Sequence, residues 1–111
     1  MNTISKVLSV SNETAEMQID YHKVKKAALI LRALNHKLRQ QIMRVLEENE
    51  RLTVTDIYVR MRIEQSVASQ HLAILRRAGV VNTERDGKFI YYTVNFERVD
   101  DIQRFVESLL K

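Results

Sequence analysis

The stretch Glu64–Val94, EQSVASQHLAILRRAGVVNTERDGKFIYYTV, constrains the fold more than any other part of this 111-residue chain. Val67, Ala68, Leu72 and Leu75 recur at helical spacing over about Gln65 to Ala78. Gly79 then stands where a left-handed residue ends a helix. Two strand-like runs follow at once, Val80–Arg85 and Lys88–Val94, with Asp86-Gly87 between them as a hairpin signal. A helix that stops at a glycine and feeds directly into a two-stranded ribbon leaves few choices for how the rest must pack.

The remaining chain supplies helices. It has no proline and only two glycines, Gly79 and Gly87, so little interrupts a helix. Residues 1–12 carry no clear period and are expected to be irregular. From about Glu13 a helix is expected, with Met17, Tyr21, Val24, Ala28 and Leu31 on one face. A break is expected near Asn35 and His36. The next helix runs about His36 to Glu48, with Leu38, Ile42, Val45 and Leu46 inward. Thr53 reads as an N-cap with Asp56 in the capping-box position, starting a short helix to about Met61. Arg62, Ile63 and Glu64 form a tight turn. A last helix, about Glu97 to Leu110, places Val99, Ile102, Val106 and Leu109 on one stripe, widened by Phe105 and Leu110. The expected fold is mainly α with a small β-hairpin, in the order α-α-α-α-β-β-α, with residues 13–111 forming one domain.

Charge and composition narrow the chemistry. Residues 23–94 hold fourteen Lys and Arg against seven Asp and Glu, net +7. The flanks hold four basic and seven acidic residues, net −3. A basic centre is modest support for a nucleic-acid partner and equally suits a solvated surface. The absence of cysteine removes disulfides, thiolate metal sites and thiol redox sensing, and fits a cytoplasmic protein. No apolar run approaches the ~20 residues of a membrane span. No glycine-rich phosphate loop, cysteine nucleophile or catalytic triad is evident, so an enzyme is not expected.

Two short helices joined by a tight turn, the second rich in small polar residues, describe a helix-turn-helix, and the hairpin adds a wing. Gln65, Ser66, Ser69 and Gln70 fall away from Leu72 and Leu75, where they can bond base edges in a major groove. Arg76, Arg77, Arg85 and Lys88 are candidates to neutralise phosphates. The expected partner is double-stranded DNA.

The run from Ala33 to Val94 resembles the ArsR/SmtB family of bacterial winged-helix repressors. Ser69, His71, Leu72, Leu75, Arg76, Ala78, Gly79 and Val81 match the family's recognition-helix pattern, and Tyr92–Val94 matches the end of its wing. The segment SQHLAILRRAGVV is specific to that family. The resemblance implies a homodimeric repressor on an inverted-repeat operator. It gives His71 a phosphate contact or a supporting role under the recognition helix. Glu64 departs from the family's Ser or Asp at the N-cap; it caps less well, and it either repels phosphate or orients a base such as Arg62.

The resemblance also implies sensor sites that these residues do not fill. Where one family site has a Cys-Val-Cys run, this chain has Thr53-Val54-Thr55, and hydroxyls do not replace soft thiolates. Where a second site alternates Asp, His and Glu, this chain has Asp100 and Asp101 but no histidine in residues 97–111. His22, His36 and His71 are expected on three separate helices. No metal or other cofactor is expected, and any small-molecule effector is unspecified.

The outer helices carry wide apolar arcs, and in the resembling family they form the dimer interface. Candidates are Met17, Tyr21, Val24, Ala28, Phe105, Val106, Leu109 and Leu110; the alternative is that they only cover the core. A second function also stands at this point: a winged-helix module that binds protein and has lost specific DNA binding, with Glu64 and the acidic ends as its hints.

Overall fold

A computed structural model describes residues 18–111. The elements run α1 (Tyr21–Leu34), α2 (Lys37–Glu47), β1 (Leu52–Thr53), α3 (Val54–Met61), α4 (Gln65–Arg77), β2 (Val81–Asp86), β3 (Phe89–Val94) and α5 (Phe96–Leu109). This is a winged helix-turn-helix, in the expected order with one strand added.

The first helix starts later than its apolar spacing suggests. Gln18, Ile19 and Asp20 are not helical, and α1 opens at Tyr21. Asp20 sets that boundary, because its carboxylate accepts from the Lys23 amide at 3.2 Å. The irregular segment expected at 1–12 and the helical start expected at 13–17, Met17 included, lie outside the described residues.

Side-chain chemistry at the junctions explains most boundaries. His36 caps α2, its Nδ1 accepting from the Leu38 amide at 3.1 Å. Thr53 and Asp56 form the expected reciprocal capping box on α3. Both helices of the helix-turn-helix end in the same hydrogen-bond pattern. After α4, Gly79 and Val80 donate to the Arg76 and Leu75 carbonyls. After α3, Arg62 and Ile63 donate to the Val59 and Tyr58 carbonyls. This paired closure needs a left-handed residue. Gly79 supplies it at φ 81°, and Arg62 supplies it at φ 57°, at a steric cost of roughly 1–2 kcal/mol.

The sheet is antiparallel in the order β1-β3-β2. The hairpin turns one residue later than its Asp-Gly signal implies. Asp86 pairs with Phe89, so Gly87 and Lys88 form the turn and Asp86 belongs to β2. Gly87 alone takes a positive φ, 65°, the pattern of a turn with glycine at its first central position. The added strand β1 pairs Leu52 with Tyr92 and Thr53 with Tyr91.

Ile42, Leu46, Ile57, Leu72, Leu75, Val80 and Val81 are fully buried and join α2, α3, α4 and the start of β2 in one core. Each such side chain removes enough apolar surface to contribute about 1.5–3 kcal/mol. In α2 the inward row differs from the expected one. Arg39, Ile42, Met43 and Leu46 are buried, whereas Leu38 and Val45 are only partly so.

Arg39 accepts burial because each of its three guanidinium nitrogens has an acceptor. Its Nε donates to the Ala33 carbonyl at 2.6 Å and a terminal nitrogen donates to the Arg32 carbonyl at 3.1 Å. These carbonyls close the last turn of α1, where a cation also meets the negative end of the helix dipole. Gln40 donates to the adjoining Leu34 carbonyl at 2.8 Å. One turn of α2 thus completes the end of α1.

Candidate nucleic-acid interface

Helix α4 turns Ala68, Leu72 and Leu75 into the core. At 3.6 residues per turn, that orientation throws Ser66, Gln70, Ala73 and Arg77 to the far side, with Gln65, Ser69 and Arg76 along one flank. All seven are exposed. Ser69, Ala73 and Arg76 border a shallow groove whose other wall is Tyr92 of β3. The structure therefore places all the small polar candidates of the first turns on one accessible surface, with two arginines behind them.

The N-terminus of α4 is chemically open. Glu64 occupies the N-cap in extended conformation, and its side chain caps nothing. The first-turn amides of a helix lack intrahelical acceptors and carry the positive end of the dipole. In α3 a capping box closes the corresponding groups. An open helix start favours an incoming phosphate, while the exposed Glu64 carboxylate opposes it.

His71 sits at the back of this helix and is partly buried. Its Nδ1 lies 3.2 Å from a terminal nitrogen of Arg39. A guanidinium only donates, so Nδ1 accepts and the imidazole is neutral with its proton on Nε2. Burial, then His36 and Arg39, lowers the His71 pKa below its ordinary 6.5. The His36 ring is 4.8 Å away, centroid to centroid. Two histidines expected on separate helices thus meet at one junction. Arg39 already occupies the His71 nitrogen, and among the described residues no group of three His, Cys, Asp or Glu is arranged to hold a metal ion. One guanidinium ties His71 to the end of α1.

The wing separates its charges by strand alternation. Glu84 and Asp86 fall on one face of β2 and Arg85 on the other. Arg51, just before β1, reaches both acids, at 3.4 Å and 2.9 Å, with its guanidinium 4.0 Å above the Tyr91 ring. Such exposed pairs are screened by solvent and contribute little to stability. Their larger effect is positional, because the acids are neutralised to one side. Arg85 and Lys88 remain exposed, and Lys88 Nζ lies 5.4 Å over the Phe89 ring at the tip.

The dimer candidates fall on the outer helices. Tyr21 and Val24 of α1 and Phe105, Leu109 and Leu110 at the end of α5 are exposed; Leu109 and Leu110 reach 65% and 77%. Ala28 and Val106 are partly buried. Helix α5 buries no residue at all and rests on the core through Val99 and Ile102.

Three arginines with structural roles escape a reading by polarity. Arg39 stands at the helical period of Ile42, Met43 and Leu46, and that spacing is the signal that finds it. Arg51 and Arg98 carry no such local mark. Arg98 donates to the Ala78 carbonyl at 3.3 Å, tying α5 to the end of α4. A Cβ on Gly79 would lie 3.3 Å from that guanidinium, a tight contact that a small shift of the arginine relieves, so it is the positive φ that favours glycine here.

Comparison with known proteins bears on this geometry. The model of bacterial regulatory proteins of the ArsR family matches residues 36–83. The chain is 40% identical over 74 residues to the transcriptional activator HlyU of Vibrio cholerae, covering 67% of this chain and 68% of that one. It is 30% identical over 92 residues to the transcriptional repressor PagR of Bacillus anthracis, covering 83% and 92%. Among solved structures, the homodimeric winged helix-turn-helix DNA-binding domain of Mb0332 from Mycobacterium bovis superposes with a TM-score of 0.67 at 25% identity, covering 84% and 87%.

Proposed function

Given that the chain belongs to the ArsR family of bacterial regulatory proteins and is a DNA-binding transcriptional regulator, we propose that it acts in the cytoplasm as a two-fold homodimeric repressor that reads an inverted-repeat operator through α4. The observation that carries this reading is the exposed face of Gln65, Ser66, Ser69 and Gln70 at the open start of α4. Gln offers a bidentate pair to adenine, and Ser donates or accepts at several base edges. Arg76, Arg77, Arg85 and Lys88 neutralise phosphates on either side and fix the register without reading sequence.

Dimerisation through α1 and α5 covers the exposed Tyr21, Val24, Phe105, Leu109 and Leu110. It also sets two α4 helices about 34 Å apart, one turn of B-DNA. The homodimeric Mb0332 domain supports that assembly. Repression has support from PagR, and HlyU makes activation the alternative sign. Thr53 commits its hydroxyl to the capping box of α3, which supports a regulator that does not sense metal at that position. No helix among the described residues is long and apolar enough to cross a membrane.

The test is fluorescence anisotropy of the full-length protein on a duplex from upstream of its own gene, beside a scrambled duplex and a salt series. Gln70→Ala lowers the preference between the two duplexes by about 1–3 kcal/mol. Lys88→Ala weakens both alike and reduces the salt slope by about one. Small and equal effects of the two changes contradict this division of roles. If no duplex is preferred, even after selection from random sequence, the reading of bases by α4 fails and a protein-binding module replaces it.

A further inference from the structure

Helix α1 from Lys26 onward and the C-terminal half of α4, with Arg39 of α2 and Arg98 of α5, border a half-open cavity of about 580 Å³. Leu29, Ile30 and Ala33 give it an apolar wall on one side, and Ile74 and Ala78 on the other. Five cations complete the lining: Lys26, Arg32, Arg39, Arg77 and Arg98. Among the described residues no carboxylate lines it. A shallower groove beside it shares Ile30 and Arg98 and brings in one acid, Asp101. The ion pairs formed among the described residues belong to Arg51 and Arg104, and none involves these five cations.

Like charges gather here beside apolar surface, and among the described residues no side-chain anion faces them. Two of the five are held in place. Arg39 is fixed by the Arg32 and Ala33 carbonyls, and Arg98 by the Ala78 carbonyl. Lys26, Arg32 and Arg77 stand exposed around them. The volume lies within the range of small-molecule sites, and the lining combines apolar walls with a few convergent polar groups. An inorganic anion would satisfy the cations and leave the walls wet. A neutral apolar molecule would fill the walls and leave the cations unpaired.

We propose that this cavity binds an amphipathic organic anion, a medium-chain monocarboxylate by chemical class. The chain lies against Leu29, Ile30 and Ile74, and the carboxylate meets the guanidinium and ammonium groups at the rim. At 3.6 residues per turn, Lys26, Leu29 and Ala33 fall roughly opposite Tyr21, Val24 and Ala28 on α1. Arg32 falls on the same side of α1 as Tyr21 and Ala28, so a partner docked on that face meets the rim of the cavity at Arg32 and leaves its Lys26 and Leu29 side open.

The position of the site also gives it leverage. Arg39 lines the cavity, holds the end of α1 and donates to His71 of α4. A carboxylate that draws on Arg39 alters the link between the outer helix and the DNA-reading helix. Ligand and DNA are then coupled, and each changes the affinity of the other by the same factor.

The test begins without DNA, so its outcome is independent of the reading of α4. Full-length ¹⁵N-labelled protein is titrated with sodium decanoate and separately with decan-1-ol. Saturable shifts centred on the amides of Ile30, Ala33, Ile74 and Ala78 are expected, with decanol at least roughly tenfold weaker. The double change Lys26→Gln and Arg32→Gln weakens decanoate roughly tenfold. Leu29→Gln weakens it roughly three- to tenfold by wetting the wall. All three side chains have surface to spare, so the fold remains. Equal binding of decanol and decanoate, or shifts centred elsewhere, overturns the site. So does a double variant that keeps decanoate affinity while losing scrambled-duplex affinity as Lys88→Ala does, because the cations then serve the DNA backbone. Saturating decanoate is further expected to change duplex affinity at least about threefold; no change overturns the coupling.

Discussion

Helices α4 and α5 are nearly equal in length, 13 and 14 residues, and both carry an apolar stripe. Helix α4 buries Ala68, Leu72 and Leu75 completely, whereas α5 buries nothing. A stripe alone therefore does not say what a helix packs against. In α4 the stripe is the back of the proposed reading surface and belongs to the core of its own chain. In α5 the inner part, Val99 and Ile102, reaches that core, and the outer part, Phe105 and Leu109, remains open to a partner.

The contrast can be broken at its strong side first. Leu72→Ala leaves a cavity at the centre of the core and is expected to cost about 2–5 kcal/mol in denaturant unfolding. A cost below about 1 kcal/mol would mean that α4 is not anchored as described. Arg39→Met tests the tie between the two regions. It removes three hydrogen bonds and leaves the Arg32 and Ala33 carbonyls short of donors, an expected loss of about 1–3 kcal/mol. An unchanged or raised stability would show that the guanidinium's burial outweighs its bonds.

The weak side gives the opposite pattern. The pair Phe105→Glu and Leu109→Glu is expected to leave protomer stability within roughly 0.5 kcal/mol. Light scattering should nevertheless register a fall in mass from dimer to monomer, and Tm should lose its dependence on protein concentration. A dimer that persists places the interface elsewhere. The smallest expected effect is that of His71. Its imidazole is held below its ordinary 6.5, so the unfolded chain takes up the proton first as pH falls. The stability from this group is complete above about 6.5 and declines below it. His71→Gln should flatten the difference between unfolding at pH 7.5 and pH 5.5; an unaltered slope would assign the effect to other groups.

Where a boundary has a dedicated side chain, the sequence announces it. Thr53 with Asp56, and Gly79 before the hairpin, act within a few residues of themselves and are found where expected. Features that depend on distant partners are silent. Strand β1 is two residues long and exists because Tyr91 and Tyr92 offer it an edge. The turn at Gly87-Lys88 is displaced because the pairing of Asp86 with Phe89 overrides the local Asp-Gly preference. Asp20 is the exception among the local signals: it caps α1 through an amide three residues away, and the apolar period that runs through it hides the boundary. Arg39 is the instructive case: its spacing was core-like and its chemistry was not. Only the carbonyls of another helix make the position comfortable. At the proposed interface the small polar residues of α4 were legible, while the disposal of Glu84 and Asp86 against Arg51 was not, because 33 and 35 residues separate those partners.

The order β1-β3-β2 has one more consequence. The apolar strand, Phe-Ile-Tyr-Tyr-Thr-Val, occupies the centre, covered on one side by the short β1 at Tyr91 and Tyr92, and the long edge strand is β2, Val-Asn-Thr-Glu-Arg-Asp. An unpaired strand side is a template on which another chain can crystallise as added sheet. Here that template carries three consecutive charges of alternating sign, Glu84, Arg85 and Asp86, and Arg51 holds the two acids near the margin. A concentrated solution of this protein is thereby discouraged from growing fibres through the wing, and association is left to the helices.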